Sequence, residues 1–195
     1  MSSFVRFCPV LALFFACAQP EPLPEYGQTP AFELTERSGR TVSSSELAGK
    51  VWVADFIFTT CAGPCPLMST HMASLQRALD GRDVELVSFT VDPERDTPEV
   101  LSAYAKRYKA DPERWLFLTG EKQALYDMIK KGFLLAVDDG SLTQGDTPGP
   151  GIVTHSVKFV LVDQQGLIRG YYSGEEAGVV DAILPDIDRL LAEAR

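Results

Sequence analysis

Two cysteines, Cys61 and Cys65, stand four positions apart in FTTCAGPCPLMSTHM, residues 58–72, a stretch that also carries Met68, His71 and Met72. Sulfur at this spacing supports three readings: a redox disulfide, a soft-metal site, or an incidental pair at a helix start. A helical path from Cys61 to Cys65 would turn the chain by roughly 400° and rise about 6 Å, leaving both sulfurs on one side. Thiolates near a helix N-terminus are stabilised by its unpaired N–H groups, which suits nucleophilic attack and metal ligation alike. The CxxxC spacing has one residue more than the CxxC of dithiol oxidoreductases. The ring that a disulfide must close is therefore looser, and an ion has room between the sulfurs. Two thiolates with an imidazole suit Cu(I), and an imidazole also suits Cu(II), whereas structural zinc asks for four protein ligands.

The chain holds two histidines, His71 and His155. His71 follows Cys65 by six residues, roughly 240° round a helix, so it is expected to face away from that sulfur. His155, at the mouth of a predicted strand, is the better third ligand. Met68 and Met72 share an apolar stripe with Leu75 and Leu79, a spacing that predicts core packing rather than thioether ligation. Asp92-Pro93-Glu94-Arg95-Asp96-Thr97-Pro98 reads as a turn leading into a helix cap.

These residues need elements to hold them. VWVADFIF, residues 51–58, is a continuous apolar run that predicts a strand buried on both faces and feeding the cysteines. Helical spacing follows over 66–79 and stops at Asp80-Gly81. A second buried strand is expected over 84–91, a Thr-capped helix with Pro98 at its first position over about 98–109, a short strand over 115–118, and a helix over 121–131. Residues 138–151 read as a long loop, 156–163 and 167–172 as a hairpin, and 179–194 as a last helix. A small hairpin, 32–36 with 40–42, stands in front. Strands alternating with helices, with the cysteines on a strand-to-helix loop, predict an α/β three-layer sandwich of thioredoxin type.

The N-terminus predicts export. FCPVLALFFACA, behind Arg6, is apolar for about a dozen residues, fewer than the roughly 20 a spanning helix needs, so it reads as a secretory signal. Its end, Phe14-Phe15-Ala16-Cys17, resembles the lipobox of bacterial lipoproteins, which implies lipidation of Cys17 and a place on the periplasmic side of a bacterial membrane. Plain secretion and an uncleaved anchor are the alternatives. Residues 1–17 are thus expected as signal and lipobox, 18–30, rich in proline, as a linker, and 31–195 as the folded domain. Of four cysteines, export removes Cys8 and puts Cys17 on a tether, leaving Cys61 and Cys65 in the domain. The net charge of −9 is spread along the chain without a basic cluster, which argues against nucleic acid as a partner.

DFIFTTCAGPCPLMSTHMASLQRAL at 55–79, VSFTVDPERDTPEVLSAYA at 87–105, W-x-FLTG at 115–120 and THSVKFVLVDQQGLIRGYY at 154–172 together resemble the Sco/SenC family of copper chaperones, named for synthesis of cytochrome c oxidase. The resemblance implies a thioredoxin-like fold and one copper per domain, Cu(I) or Cu(II), held by Cys61, Cys65 and His155. It also implies delivery to the binuclear copper centre of cytochrome c oxidase, through subunit II or another copper-accepting protein. Thr154 precedes the histidine where many members carry an acidic residue. A metallochaperone is expected rather than an enzyme. The alternative is a thiol–disulfide reductase or redox sensor using the Cys61–Cys65 disulfide alone. The two can coexist, with a thiol reductant as partner, because a target's own cysteines must be reduced before they accept copper. A peroxidase would need one hyper-reactive thiolate.

Overall fold

The structure is a computed structural model that describes residues 21–135 and 156–193. Its strands are β1 (Gly27–Gln28), β2 (Glu33–Glu36), β3 (Thr41–Ser43), β4 (Val51–Ile57), β5 (Val84–Thr90), β6 (Trp115–Thr119), β7 (Lys158–Val162) and β8 (Leu167–Ser173). The helices are α1 (Cys65–Ala78), α2 (Pro98–Arg107), α3 (Lys122–Asp127) and α4 (Val179–Glu193). All eight strands share one sheet, in the order β1-β8-β7-β4-β5-β6-β2-β3. β4, β5 and β6 run parallel, and β7, on the other side of β4, runs antiparallel to it.

β4 is the centre of the molecule because both its faces are covered, and every one of its residues is buried. Val51, Val53 and Ile57 face a core built with Met68, Met72, Leu75 and Leu79 of α1 and with α2 and α4. Trp52, Ala54 and Phe56 face the opposite core, where Leu125, Ile129 and Phe133 pack from α3 and the turn after it. A strand buried on both sides reads as an unbroken apolar run, as the sequence does here. Met68 and Met72 have no exposed surface, so both are packing residues.

The front hairpin forms as β2 with β3, and β2 also pairs with β6, extending the main sheet. Two other elements differ from expectation. The helix expected over 121–131 is α-helical only to Asp127 and then widens into a π-turn, Met128–Gly132. Residues 21–28, inside the stretch expected as a linker, lie against the fold. Leu23 is in the first core, β1 pairs with β8, and Arg169 donates to the carbonyls of Leu23 (2.9 Å) and Pro24 (3.0 Å). Proline-rich composition signals an extended path, and a sheet edge with a buried arginine can hold such a path as readily as solvent can.

Candidate metal centre

The thiols sit where β4 ends. Past Ile57 the chain makes a tight turn, Cys61 N–H donating to the Phe58 carbonyl at 3.2 Å, and α1 begins at Cys65. The two cysteines therefore do not share one helix. Pro64 holds the position before α1, with no side-chain cap and no acidic residue in the first turn, so the positive end of the helix stands at Cys65 without a carboxylate of its own turn to offset it. Cys65 is buried, Cys61 is half-buried, and no disulfide joins them. The Cys65 thiol is in hydrogen-bond contact with Cys61 and with the main chain of Phe58. Burial pushes the Cys65 thiol up from its ordinary range. The Cys61 contact and the nearby Cys61 and Asp55 charges push the same way, against the pull of Phe58. Cys65 thus keeps its proton at neutral pH until something replaces it.

His155 and Cys17 lie outside the described residues. β7 does bring its own start to the thiol end of the sheet: Val160 pairs with Ala54 and Val162 with Trp52, so the strand runs back from the end where β4 stops. His71 is half-buried on α1 and turned to another task. Its Nδ1 lies 2.7 Å from the carbonyl of Gly174, which fixes the proton on that nitrogen. Gly174 in turn donates to the Val157 carbonyl at 2.7 Å, so α1, the end of β8 and the approach to β7 are tied together beside the thiols. Among the described residues no three His, Cys, Asp or Glu side chains form a metal-holding group.

Two carboxylates near this end escaped the sequence reading. Asp55 is wholly buried in β4; it accepts from Ser88 Oγ at 2.5 Å, and its Oδ2 has no hydrogen-bond partner. Burial raises its carboxyl to about 7, against the pull of Ser88. Asp96, read as part of a turn leading into a helix cap, has no exposed surface. It accepts from Thr59 N–H (3.1 Å), Thr59 Oγ1 (2.5 Å) and Thr90 Oγ1 (2.5 Å). Burial still pushes its carboxyl up. An Asp six residues ahead of Cys61 inside an apolar strand was the available signal for Asp55. Nothing local marked Asp96.

A cleft of about 260 Å³, lined by Gln28, Trp52, Gln165 and neighbours, lies at the far end of the sheet from the thiols.

The SCO1/SenC family profile matches residues 21–192. The chain belongs to the SCO1/SenC family. A SCO1 protein homolog of Bacillus subtilis is 35% identical over 183 residues, 91% of either chain. Among solved structures, a SCO1/SenC family lipoprotein of Bacillus anthracis superposes with a TM-score of 0.77 at 36% identity, over 85% of this chain and 95% of that one. BsSco, described through its disulfide switch as a member of the Sco family of cytochrome c oxidase assembly proteins, gives 0.72 at 32%, over 88% and 96%. Yeast Sco1 with copper bound gives 0.66 at 25%, over 83% and 89%. The fold is accordingly thioredoxin-like, an α/β three-layer sandwich with the thiols at the junction of β4 and α1. No helix among the described residues is long and apolar enough to cross a membrane.

Proposed function

We propose that this SCO1/SenC protein is a copper metallochaperone in which the Cys61 and Cys65 thiolates and the His155 imidazole hold one copper ion as cargo. The observation that carries the reading is the pair of thiols in mutual contact at the head of α1, one half-buried and one buried. Two soft donors at a helix N-terminus, with an imidazole available, match copper in either oxidation state. His155 is the covalent neighbour of Ser156, and β7 starts at the thiol end of the sheet. The relatives support the cargo, since yeast Sco1 is known with copper bound.

Copper enters as Cys65 gives up its proton, so loading releases protons and tightens as pH rises. Half-buried Cys61 is the sulfur an acceptor can approach first. A three-ligand site lets an incoming thiolate add before a leaving one departs. The acceptor is the binuclear copper centre of cytochrome c oxidase, in subunit II or another copper-accepting protein. BsSco's membership of an oxidase assembly family supports this. Cys17 carries the lipid that holds the domain on the outer side of a bacterial membrane, as the B. anthracis relative's description as a lipoprotein suggests. Mass spectrometry of the native protein tests that step: an unmodified N-terminus at Ala18 or beyond rules lipidation out.

A second reading, a thiol–disulfide reductase or redox sensor, is favoured by the same thiol contact and by the disulfide switch described for BsSco. Copper analysis after gel filtration separates the two. The reduced chain is expected to retain one copper per molecule and the oxidised chain none; equal retention would overturn the chaperone reading. His155→Ala is expected to lose stable Cu(II) binding, keep weakened Cu(I) binding and keep disulfide formation, while Cys61→Ser and Cys65→Ser lose all three. Wild-type Cu(II) binding by His155→Ala together with full oxidase assembly would leave the redox reading standing.

A further inference from the structure

We propose that Asp96 is a positioning residue for the Cys61–Cys65 pair, fixing the turn that carries both sulfurs to the end of β5; the inference rests on the function proposed above. The turn runs from Phe58 to Cys61, and each of its ends reaches a sulfur. Cys61 closes it through the bond to the Phe58 carbonyl, and the Phe58 main chain touches the Cys65 thiol. Thr59, the second residue of the turn, is held by Asp96 at both its N–H and its hydroxyl.

Asp96 is itself anchored on two sides. Thr90 Oγ1 at the end of β5 donates to it, and its own N–H donates to the Asp92 carbonyl at 2.9 Å. Thr97, the next residue, caps α2 by accepting from Val100 and makes no bond to the Asp96 carboxylate. Thr90 Oγ1 also accepts from Asp92 N–H at 3.0 Å, which ties the loop of 92–96 to the same strand end. Arg95 compensates this carboxylate only weakly, because its guanidinium pairs with Asp92 at 2.8 Å and is exposed, so its attraction to Asp96 is screened by solvent.

A carboxylate taken out of water without a cation is costly, and a loop needing only a polar filler would be served by a neutral side chain. The Thr59 N–H can only donate and reaches both carboxylate oxygens, at 3.3 and 3.1 Å, so an acceptor-only group suits it. Asn would turn an NH2 group toward that N–H in either orientation and would force a hydroxyl to reverse its role. Asp96 therefore does for the sulfurs what an outer partner does for a metal ligand: it restrains them without touching them.

The test uses the full chain with Asp96→Asn, Thr59→Ala, Thr59→Ser and Thr97→Ala. Three quantities are read for each: Cu(I) affinity by competition with a chromophoric chelator, the Cys61–Cys65 dithiol–disulfide equilibrium in glutathione buffers, and urea stability. Asp96→Asn is expected to weaken Cu(I) binding by about 10-fold or more, the range seen when outer partners of metal ligands are removed. It should also disfavour the disulfide, because a loosened turn lets the sulfurs separate. Thr59→Ala should move both in the same direction by less, and Thr59→Ser, which restores the hydroxyl, should match wild type. Thr97→Ala removes the α2 cap without touching the turn, so it should lower stability and leave copper and redox readings unchanged. If Asp96→Asn fails to fold, the contrast between Thr59→Ala and Thr59→Ser decides. If wild type binds no copper, the chaperone reading falls and the thiol equilibrium alone judges Asp96. The inference is overturned if Asp96→Asn and Thr59→Ala lose stability but keep wild-type copper and thiol equilibria, or if Thr97→Ala shifts them equally.

Discussion

The two ends of the sheet hold their most deeply buried carboxylates in opposite ways. At the base, where β7 turns into β8, Asp163 is buried and paired with a buried Arg169 at 2.8 Å, and its other oxygen accepts from the N–H groups of Gln165 and Leu167 at 2.9 Å each. At the thiol end, Asp55 and Asp96 are buried against hydroxyl and N–H donors alone, and burial pushes both carboxyls up. The base compensates its charge and so is built for rigidity. The thiol end leaves Asp55 and Asp96 without a hydrogen-bonded cation, Arg95 being paired with Asp92, a cost that the copper cargo proposed above would offset.

The sharpest way to break this contrast is Arg169→Met. It leaves Asp163 buried without its cation and frees the carbonyls of Leu23 and Pro24, and removing one partner of a buried pair costs ~3–5 kcal/mol. Urea unfolding should show that loss, and residues 21–28 should become open to limited proteolysis. Copper affinity should not change. A loss below about 1 kcal/mol would mean that the base is not the compensated end.

Asp55→Asn probes the opposite case and should change stability in the other direction. The folded carboxyl titrates at about 7 against 3.8 when exposed, so between these values the folded state holds more protons than the unfolded state. Stability then falls as pH rises through that window, by up to ~4 kcal/mol at full effect. Asparagine has no such titration. Asp55→Asn should therefore match wild type near pH 4 and exceed it at pH 8, as urea midpoints at both pH values would show. Equal pH dependence in the two proteins would remove Asp55 from the uncompensated set.

Gly174→Ala sharpens the comparison through packing. A Cβ there would stand 3.0 Å from Phe159, 3.1 Å from Met68 and 3.1 Å from the Val157 carbonyl. Overpacking of this kind costs ~1–3 kcal/mol. It should also weaken copper binding, because it presses on α1 and on the approach to β7 together. Least affected should be Asp188→Asn, which breaks the Arg82 pair on the exposed side of α4. A loss under ~1 kcal/mol that vanishes in high salt is expected from thermal melts.

Much of this arrangement was written locally. The unbroken apolar run of 51–57 allowed only a strand covered on both faces, and the stripe of Met68, Met72, Leu75 and Leu79 allowed only a helix facing the core. Thr97 followed by Pro98 placed the start of α2, because a cap acts on N–H groups within its own turn. The cysteine pair was legible from spacing, whereas His155 lies outside the described residues and stays a proposed ligand. What tertiary structure alone decided was the fate of groups whose partners are far along the chain. Asp96 looked like any polar residue in a turn until Thr59, 37 positions earlier, was folded over it. Residues 21–28 read as a linker until Arg169, more than 140 positions later, took their carbonyls. Periodicity and capping report on neighbours within a few residues, whereas burial of a polar group is settled by what the finished fold brings to it.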